Sequence, residues 1–344
     1  MKINKSSYFL FLVPCLFTVL PCQAEEKSND SEHWQYVDPR IGSEGVGRVF
    51  IGPSAPFGMV KPSPDCTVEP NSGWLPMPVV VTGFAQVHVS GTGGGPKYGN
   101  ILIQPFVGEL KGRDHSAHRE MEAMHLGYYE TRFKENKIRT EITVSNRASL
   151  YRFTYPEAKE RSLMIDAGFF LGENPVPDAR EAQQFVGSEI EIVSDKEVRG
   201  YSRIRGGWNN GRAYTVYFYA ISDTPFVKSV TWKDDHFSSE EKSQCDEGKK
   251  TGALLSFGSS SAMSAIHIKV GISFLSSLKA KQNVEREISG FDFDTQLSAL
   301  RNQWETLLKR IDLTGKNITD SQKRMFYTAL YHTCLMPVDR SGEN

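Results

Sequence analysis

Cysteine is scarce in this 344-residue chain, which holds five, and no two of them form a CxxC pair. Cys15 and Cys22 fall in the N-terminal apolar segment, so Cys66, Cys245 and Cys334 are what a processed chain would keep. An odd, widely spaced trio excludes a disulfide framework, allows one bridge at most, and lacks the ligand spacing of a structural zinc site. An excess of one charge is also missing. Forty Lys and Arg face forty-one Asp and Glu with no basic stripe, which argues against a nucleic-acid partner. No internal repeat or low-complexity tract stands out, and no segment beyond the N-terminus offers an apolar run suited to spanning a membrane.

What is there begins with a secretion signal over residues 1–24. Lys2 and Lys5 precede an apolar run over 8–20, and Pro21-Cys22-Gln23-Ala24 supplies a small-residue cleavage context. The protein is therefore expected to be exported, to a periplasm or the extracellular space. Lipid anchoring at Cys22 is the rival, disfavoured because Val19-Leu20-Pro21 is a poor approach to a lipidated cysteine. Loss of Lys2 and Lys5 takes the formal net charge from −1 to −3. Residues 25–35 form a polar spacer expected to be disordered.

From 36 to about 274 the pattern is β. Short runs of alternating or β-branched apolar residues cover 101–107, 128–133, 138–145, 150–155, 162–167, 189–193, 198–204, 214–221, 226–232 and 264–274. Gly, Pro, Asn and Asp cut them apart. So many strands without helical periodicity between them predict a large antiparallel β-sandwich, assigned to residues 36–290. The period then changes. Leu297, Leu300, Trp304, Leu307, Leu308 and Ile311 share one helical face, with Asp294 as the expected N-cap. This linker helix occupies 291–315. A second helix is predicted over 320–335, with Pro337 ending it, inside a segment 316–344. Phe326, Tyr327, Leu330 and Tyr331 spread apolar surface around that second helix, and nothing after it in the sequence covers them. The expectation is a chain cut at the start of a helical domain.

The stretch 82–100 carries the most chemistry. An apolar strand over 79–89, punctuated by Gln86 and His88, opens into a loop with Gly91, Gly93, Gly94, Gly95 and Gly99. Glycines there permit positive φ and close approach of backbone to a ligand. Ser90, Thr92 and His88 at the same rim suit a polyhydroxylated ligand. The loop is no phosphate cradle, since it lacks the Gly-Lys-Ser/Thr ending.

Several blocks carry a resemblance. Val37-Asp38-Pro39-Arg40-Ile41-Gly42, Pro53 to Val60, Ser63-Pro64-Asp65, Gly83-Phe84, His88-Val89-Ser90-Gly91-Thr92-Gly93 and Phe326 to His332 together resemble glycoside hydrolase family 92. The resemblance implies an exported, calcium-dependent, inverting exo-α-mannosidase acting in glycan degradation. It implies a supersandwich of the galactose-mutarotase type, a helical linker and an α/α barrel. By that resemblance the general acid, the general base and most calcium contacts lie on the barrel. Hence no catalytic residue and no metal ligand is assigned to this chain, and calcium is expected in the intact enzyme and not on this chain alone. The partners expected are a mannose-containing glycan and the missing C-terminal helical domain. What remains is the sandwich's share of the sugar site: Trp74 as a stacking face, His88, Ser90 and Thr92 as donors to hydroxyls, and Asp339 as an acidic sugar contact.

Departures from the family pattern are Gln86 in place of the first of two histidines, Arg48 in the usual Gly-His-Gly block, and Lys97 where an acid is common. The added positive charge suggests an anionic or otherwise atypical mannoside. His115, His118, Glu120, Glu122 and His125 look like a solvated surface hairpin or loop and not a metal site, for want of a fourth ligand at motif spacing. Rival readings are a stand-alone sugar-binding protein and a sandwich hydrolase working through Asp65 or Glu173.

Overall fold

The structure is a computed structural model that describes residues 32–45, 47–66, 72–91, 97–157, 159–173, 182–207, 211–313, 315 and 317–343. The expected signal segment, Thr92 and Gly93 to Gly95 lie outside the described residues. Two antiparallel sheets form the body. The first runs β1 (Ser63–Cys66), β2 (Val81–Ala85), β3 (Leu102–Val107), β8 (Glu160–Asp166), β15 (Thr251–Ser259), β12 (Lys228–Lys233) and β13 (His236–Ser238). The second runs β14 (Ser243–Asp246), β9 (Gln183–Ile192), β10 (Glu197–Gly206), β11 (Tyr214–Ser222), β16 (Ser264–Ser273), β7 (Ala148–Tyr155), β6 (Arg139–Val144), β5 (Tyr128–Phe133) and β4 (Arg119–His125).

Strand alternation explains both faces. Leu163 and Ile165 of β8 and Ala253 and Leu255 of β15 point inward, meeting Tyr151, Phe153 and Tyr155 of β7 in the main core. Their neighbours Met164 and Leu254 point outward into a second apolar layer with Leu102, Phe106 and Trp232. Residues 108–118 close over that layer: His115 stacks on Phe106 at 3.6 Å between ring centroids, and Arg113 lies over Trp232. Apolar residues on both faces of one strand blur the period-two signal. That is why β15 was not expected from the sequence. The strand expected over 79–89 is shorter, β2 ending at Ala85, and of the polar segment read as a surface hairpin or loop around 115–125, residues 119–125 form β4, which pairs with β5 as a hairpin.

Three α-helices follow the last strand. The first, α1 (Ser277–Glu287), falls where the sequence predicted none. It lies on the outer face of the nine-stranded sheet, burying Ala280 and Val284 against Ala148, Leu150 and Tyr219. Gly271 of β16 makes room for it: a Cβ there would meet Val284 Cγ2 at 2.4 Å and the Ala280 carbonyl at 2.5 Å. The second, α2 (Phe293–Leu308), buries Leu300, Trp304 and Leu308, and Trp304 Nε1 donates to the Ser54 carbonyl at 2.8 Å. Its N-cap is Asp292 and not Asp294, because Asp292 is extended and its carboxylate accepts from the Thr295 amide at 3.0 Å. Asp294 instead sits in the first turn.

The third, α3 (Asp320–Thr333), starts on a capping box between Thr319 and Gln322. Tyr327, Thr328 and Tyr331 are buried, whereas Met325 remains 64% exposed. Part of the spacer expected to be disordered is ordered. His33–Tyr36 form a 3-10 turn whose His33 meets Glu305 at 2.6 Å and whose Tyr36 stacks on Tyr327.

Gly271→Ala tests the seating of α1. Overpacking at such a contact costs about 1–3 kcal/mol, so the variant should unfold at lower denaturant concentration, read by circular dichroism. An unchanged midpoint would show that α1 shifts freely.

Candidate functional site

Beyond the end of β2 the chain keeps pairing without a regular strand. Gln86 donates its amide to the Asn100 carbonyl at 3.0 Å, Lys61 to the Gln86 carbonyl at 2.8 Å, and Gly99 to the Val87 carbonyl at 2.8 Å. Lys61, Val87, His88 and Tyr98 therefore sit together at one end of the seven-stranded sheet. The first residue of β11, Tyr214, and Phe274 just after β16 come from the other sheet. Between them lies a cavity of about 480 Å³ lined by Met59, Lys61, Val87, His88, Tyr98, Tyr214, Phe274, Met336, Val338 and Arg340.

The tail from Cys334 to Glu343 makes the last wall. Phe57 donates its amide to the Cys334 carbonyl and accepts from the Asp339 amide, both at 2.9 Å. Farther on, the buried Glu343 carboxylate accepts from Ser273 Oγ at 2.6 Å, the Phe274 amide at 2.9 Å and Asn283 Nδ2 at 3.0 Å.

His88 is held from both ends. Nδ1 lies 2.8 Å from the Lys61 carbonyl and Nε2 lies 2.8 Å from Asp65 Oδ1. Asp65 also accepts from the Ala85 amide at 2.8 Å. Neither side chain has any solvent exposure, so the 3% exposure of His88 belongs to its main chain. Both ring nitrogens face oxygen acceptors, so Nδ1 donates to the carbonyl and one proton bridges Nε2 and the carboxylate. The imidazole thus positions the strand end and has no nitrogen left over for a hydroxyl. Gly73 caps this pair with a φ of +83°, where a Cβ would stand 2.3 Å from Asp65 Oδ1.

The other expected residues are placed as follows. Ser90 is buried; its Oγ accepts from the Phe50 amide at 3.1 Å and its amide points at Met336 Sδ, 3.3 Å away. Trp74 does not line the cavity. It is 5% exposed, and its Nε1 donates to Glu122 Oε1 at 3.2 Å, an atom that also accepts from Arg119 at 2.6 Å and from the Tyr129 hydroxyl at 2.7 Å. Glu122, expected in a solvated segment, is therefore the centre of a buried polar knot. Asp339 stands between two lining residues with its side chain 46% exposed. The Ser341 hydroxyl and amide hold its carboxyl below the usual range.

Gln86 is buried, donating to the Tyr151 hydroxyl at 2.7 Å and accepting from Ser149 Oγ at 2.8 Å. Of the two cations singled out in the sequence, Arg48 is half-buried and Lys97 is buried, and neither lines the cavity. Lys61 and Arg340, which the sequence reading passed over, do. The signal that could have found Lys61 is a lysine inside the apolar run Met59-Val60-Lys61-Pro62. It is 2% exposed, and burial first, then the Arg340 guanidinium, push its ammonium down to about 8. Burial, then Tyr98, pushes the Tyr214 phenol well above its ordinary value, so it stays a neutral donor.

A family model described as Glycosyl hydrolase family 92 N-terminal domain matches residues 36–273. The chain belongs to glycosyl hydrolase family 92. The model of the family's catalytic domain matches residues 279–344. Among curated proteins, an "Uncharacterized secreted glycosidase" of Arthroderma benhamiae is 26% identical over 332 residues, covering 90% of this chain and 42% of that one. Among solved structures, the family GH92 alpha-mannosidase BT3965 from Bacteroides thetaiotaomicron matches with a TM-score of 0.78 at 26% identity, over 90% of this chain and 42% of that one. The family GH92 inverting mannosidase BT2199 of the same organism shares the fold, with a TM-score of 0.73 at 24% identity over 89% and 40% of the two chains. The chain thus spans about two-fifths of the length of these relatives.

For a family 92 chain the calcium question is one of donors. Among the described residues no three His, Cys, Asp or Glu side chains come together so as to hold a metal ion. Calcium prefers six to eight oxygen ligands, and the cavity presents Lys61 and Arg340 instead. The residues present do not fit a calcium site.

Two variants test the geometry. Gly73→Ala should break the Asp65–His88 pair and lower the thermal midpoint by several degrees, whereas an unchanged midpoint would show the pair to be dispensable. Lys61 has a folded-state pKa below that of a free lysine, so between about pH 8 and 10.5 the folded chain binds fewer protons than the unfolded one. Stability must rise with pH through that window, and the burden of the buried charge is fully present below it. Lys61→Met should raise the midpoint at pH 7, by up to roughly 3 kcal/mol, and flatten the rise above pH 8 in melts across that range.

Proposed function

We propose that this chain forms the sheet-side wall of a pocket for a terminal mannose-type sugar, within an exported α-mannosidase that degrades glycans. The observation that carries this reading is the cavity at the end of the sandwich. About 480 Å³ suits one sugar ring, and Tyr98, Tyr214 and Phe274 offer aromatic faces beside polar groups. Ser90 and Asp339 neighbour the lining segments, with Thr92 as a further contact once the pocket is completed by a C-terminal helical domain; Trp74, tied to Glu122 away from the cavity, is not among them. Export is supported by the N-terminal signal pattern and by the name of the secreted relative. Among the described residues no helix is long and apolar enough to cross a membrane.

Inverting hydrolysis needs an acid and a base carboxyl about 6.5–9.5 Å apart with a water between. Among the described residues no Asp or Glu lines the cavity. Asp65 is sealed behind His88, and Glu173 is paired with Lys250 at 2.8 Å. The intact enzyme would therefore draw its acid and base, and its calcium, from the helical domain, and this chain alone would bind sugar without turning it over.

Incubating the purified chain with an aryl α-mannoside and calcium should release no aglycone, while methyl α-mannoside should bind in a calorimetric titration. Release that a chelator abolishes would overturn the inactive-fragment reading. Failure of any mannoside to bind would overturn the sugar pocket.

A further inference from the structure

Lys61 and Arg340 line one cavity from opposite segments, and neither has an acidic partner. Among the described residues no carboxylate stands within ion-pair distance of either. The Lys61 ammonium donates to the Gly58 carbonyl at 2.5 Å, leaving two of its three donors unused. Among the described residues the Arg340 guanidinium makes only a stacking contact, 4.4 Å from the Phe274 ring centre. Acids in the neighbouring segments are engaged elsewhere: Asp65 by His88, Glu343 by Ser273 and Asn283, and Asp339 by Ser341 and Arg147. Two like charges facing a shared space repel, and the Arg340 charge adds to burial, the larger cause, in depressing the Lys61 ammonium. Such an arrangement is relieved by an anion placed between them, because a guanidinium and an ammonium both make their strongest hydrogen bonds to charged oxygens. A neutral sugar would leave the repulsion in place.

We propose that the cavity selects a sugar bearing an anionic group, a carboxylate, sulfate or phosphate, held between Lys61 and Arg340. The sugar part rests on the pocket reading above; the anion part rests on the two cations alone. Phe274 fixes the guanidinium from behind, and the Gly58 carbonyl fixes the ammonium. Tyr214, whose hydroxyl donates to Asn100 Oδ1 at 3.3 Å, lines the same space and can accept from a sugar hydroxyl.

The test is calorimetric titration of the full chain at low salt with methyl α-mannoside, mannose 6-phosphate, mannose 6-sulfate and inorganic phosphate. The anionic sugars should bind about tenfold or more tightly than the neutral one, the worth of one charge-assisted hydrogen bond. Arg340→Gln, at an exposed position that leaves folding intact, should abolish that preference, and Lys61→Met should do the same. Arg48→Gln, at a half-buried arginine outside the cavity lining, should leave it unchanged. Equal affinity for neutral and anionic sugars would overturn the anion inference and leave the pocket reading standing. Inorganic phosphate binding, lost in Arg340→Gln, without any mannoside binding would uphold the anion site and overturn the sugar. Equal weakening by Arg48→Gln would reduce the effect to bulk charge and overturn the inference, as would the absence of any anion binding.

Discussion

Buried carboxylates that accept several hydrogen bonds at once hold this molecule's distant segments in register. Sheets fix their own strands, but they do not fix loops, helices and tail to one another. Asp65 ties β1 to the end of β2 through His88 and the Ala85 amide. Glu287, at the end of α1, takes the Arg147 amide at 2.7 Å and Ser145 Oγ at 2.9 Å, and so clamps that helix to the turn between β6 and β7. Glu343 sews the tail to the end of β16 and to α1. Burying a carboxylate is costly unless its lone pairs are satisfied. Each of these sites accordingly has two to four donors, and removing one partner would strand a charge.

The cavity is a product of those clamps. Its walls come from positions near 60, 88, 98, 214, 274 and 338, and the junctions at Asp65, Phe57 and Glu343, with the backbone pairing of 61, 86–87 and 99–100, bring them together. The same clamps explain its charge. Acids near the cavity are consumed in holding the walls, so the two cations that reach it face no partner. A wall rigidly built from satisfied carboxylates and lined by unsatisfied cations is an electrostatic mould for negative charge.

Much of this was legible in the sequence, for physical reasons that also mark where legibility stops. Alternation in segments such as 150–155 and 198–204 announced a sandwich, because each strand there has one face in the core. The helix at α2 announced itself through Leu300, Trp304 and Leu308 on one stripe. In contrast, α1 was silent: a narrow stripe, Ala280 and Val284, suffices when the opposing strand offers the bare backbone of Gly271. The family was legible because ordered blocks such as Ser63-Pro64-Asp65 and His88-Val89-Ser90 are improbable together by chance. His88 was expected at the rim as a donor to hydroxyls, but its ring is sealed from solvent and both nitrogens are engaged. No local pattern says that Asp65, twenty-three residues earlier, reaches its ring. Lys61 and Arg340 were missed because a cation's lack of a counter-ion is a property of packing and not of spacing.

The placement of charge also separates two ways in which a glycosidase half-site can be built. A self-contained site would keep two carboxyls open to the cavity and leave its cations outside, paired. Here the arrangement is inverted. Arg119, Arg147 and Arg152 are paired with Glu122, Glu287 and Glu141 in the body of the sandwich. Asp339 alone keeps an acidic group near the rim, and it lies 4.0 Å from Arg147 and is held low by Ser341. One carboxyl held ionised cannot serve as the protonated acid that departure of a leaving group requires. Under the proposed reading this wall would bind and orient a sugar, and the groups that move protons would face it from another part of the enzyme.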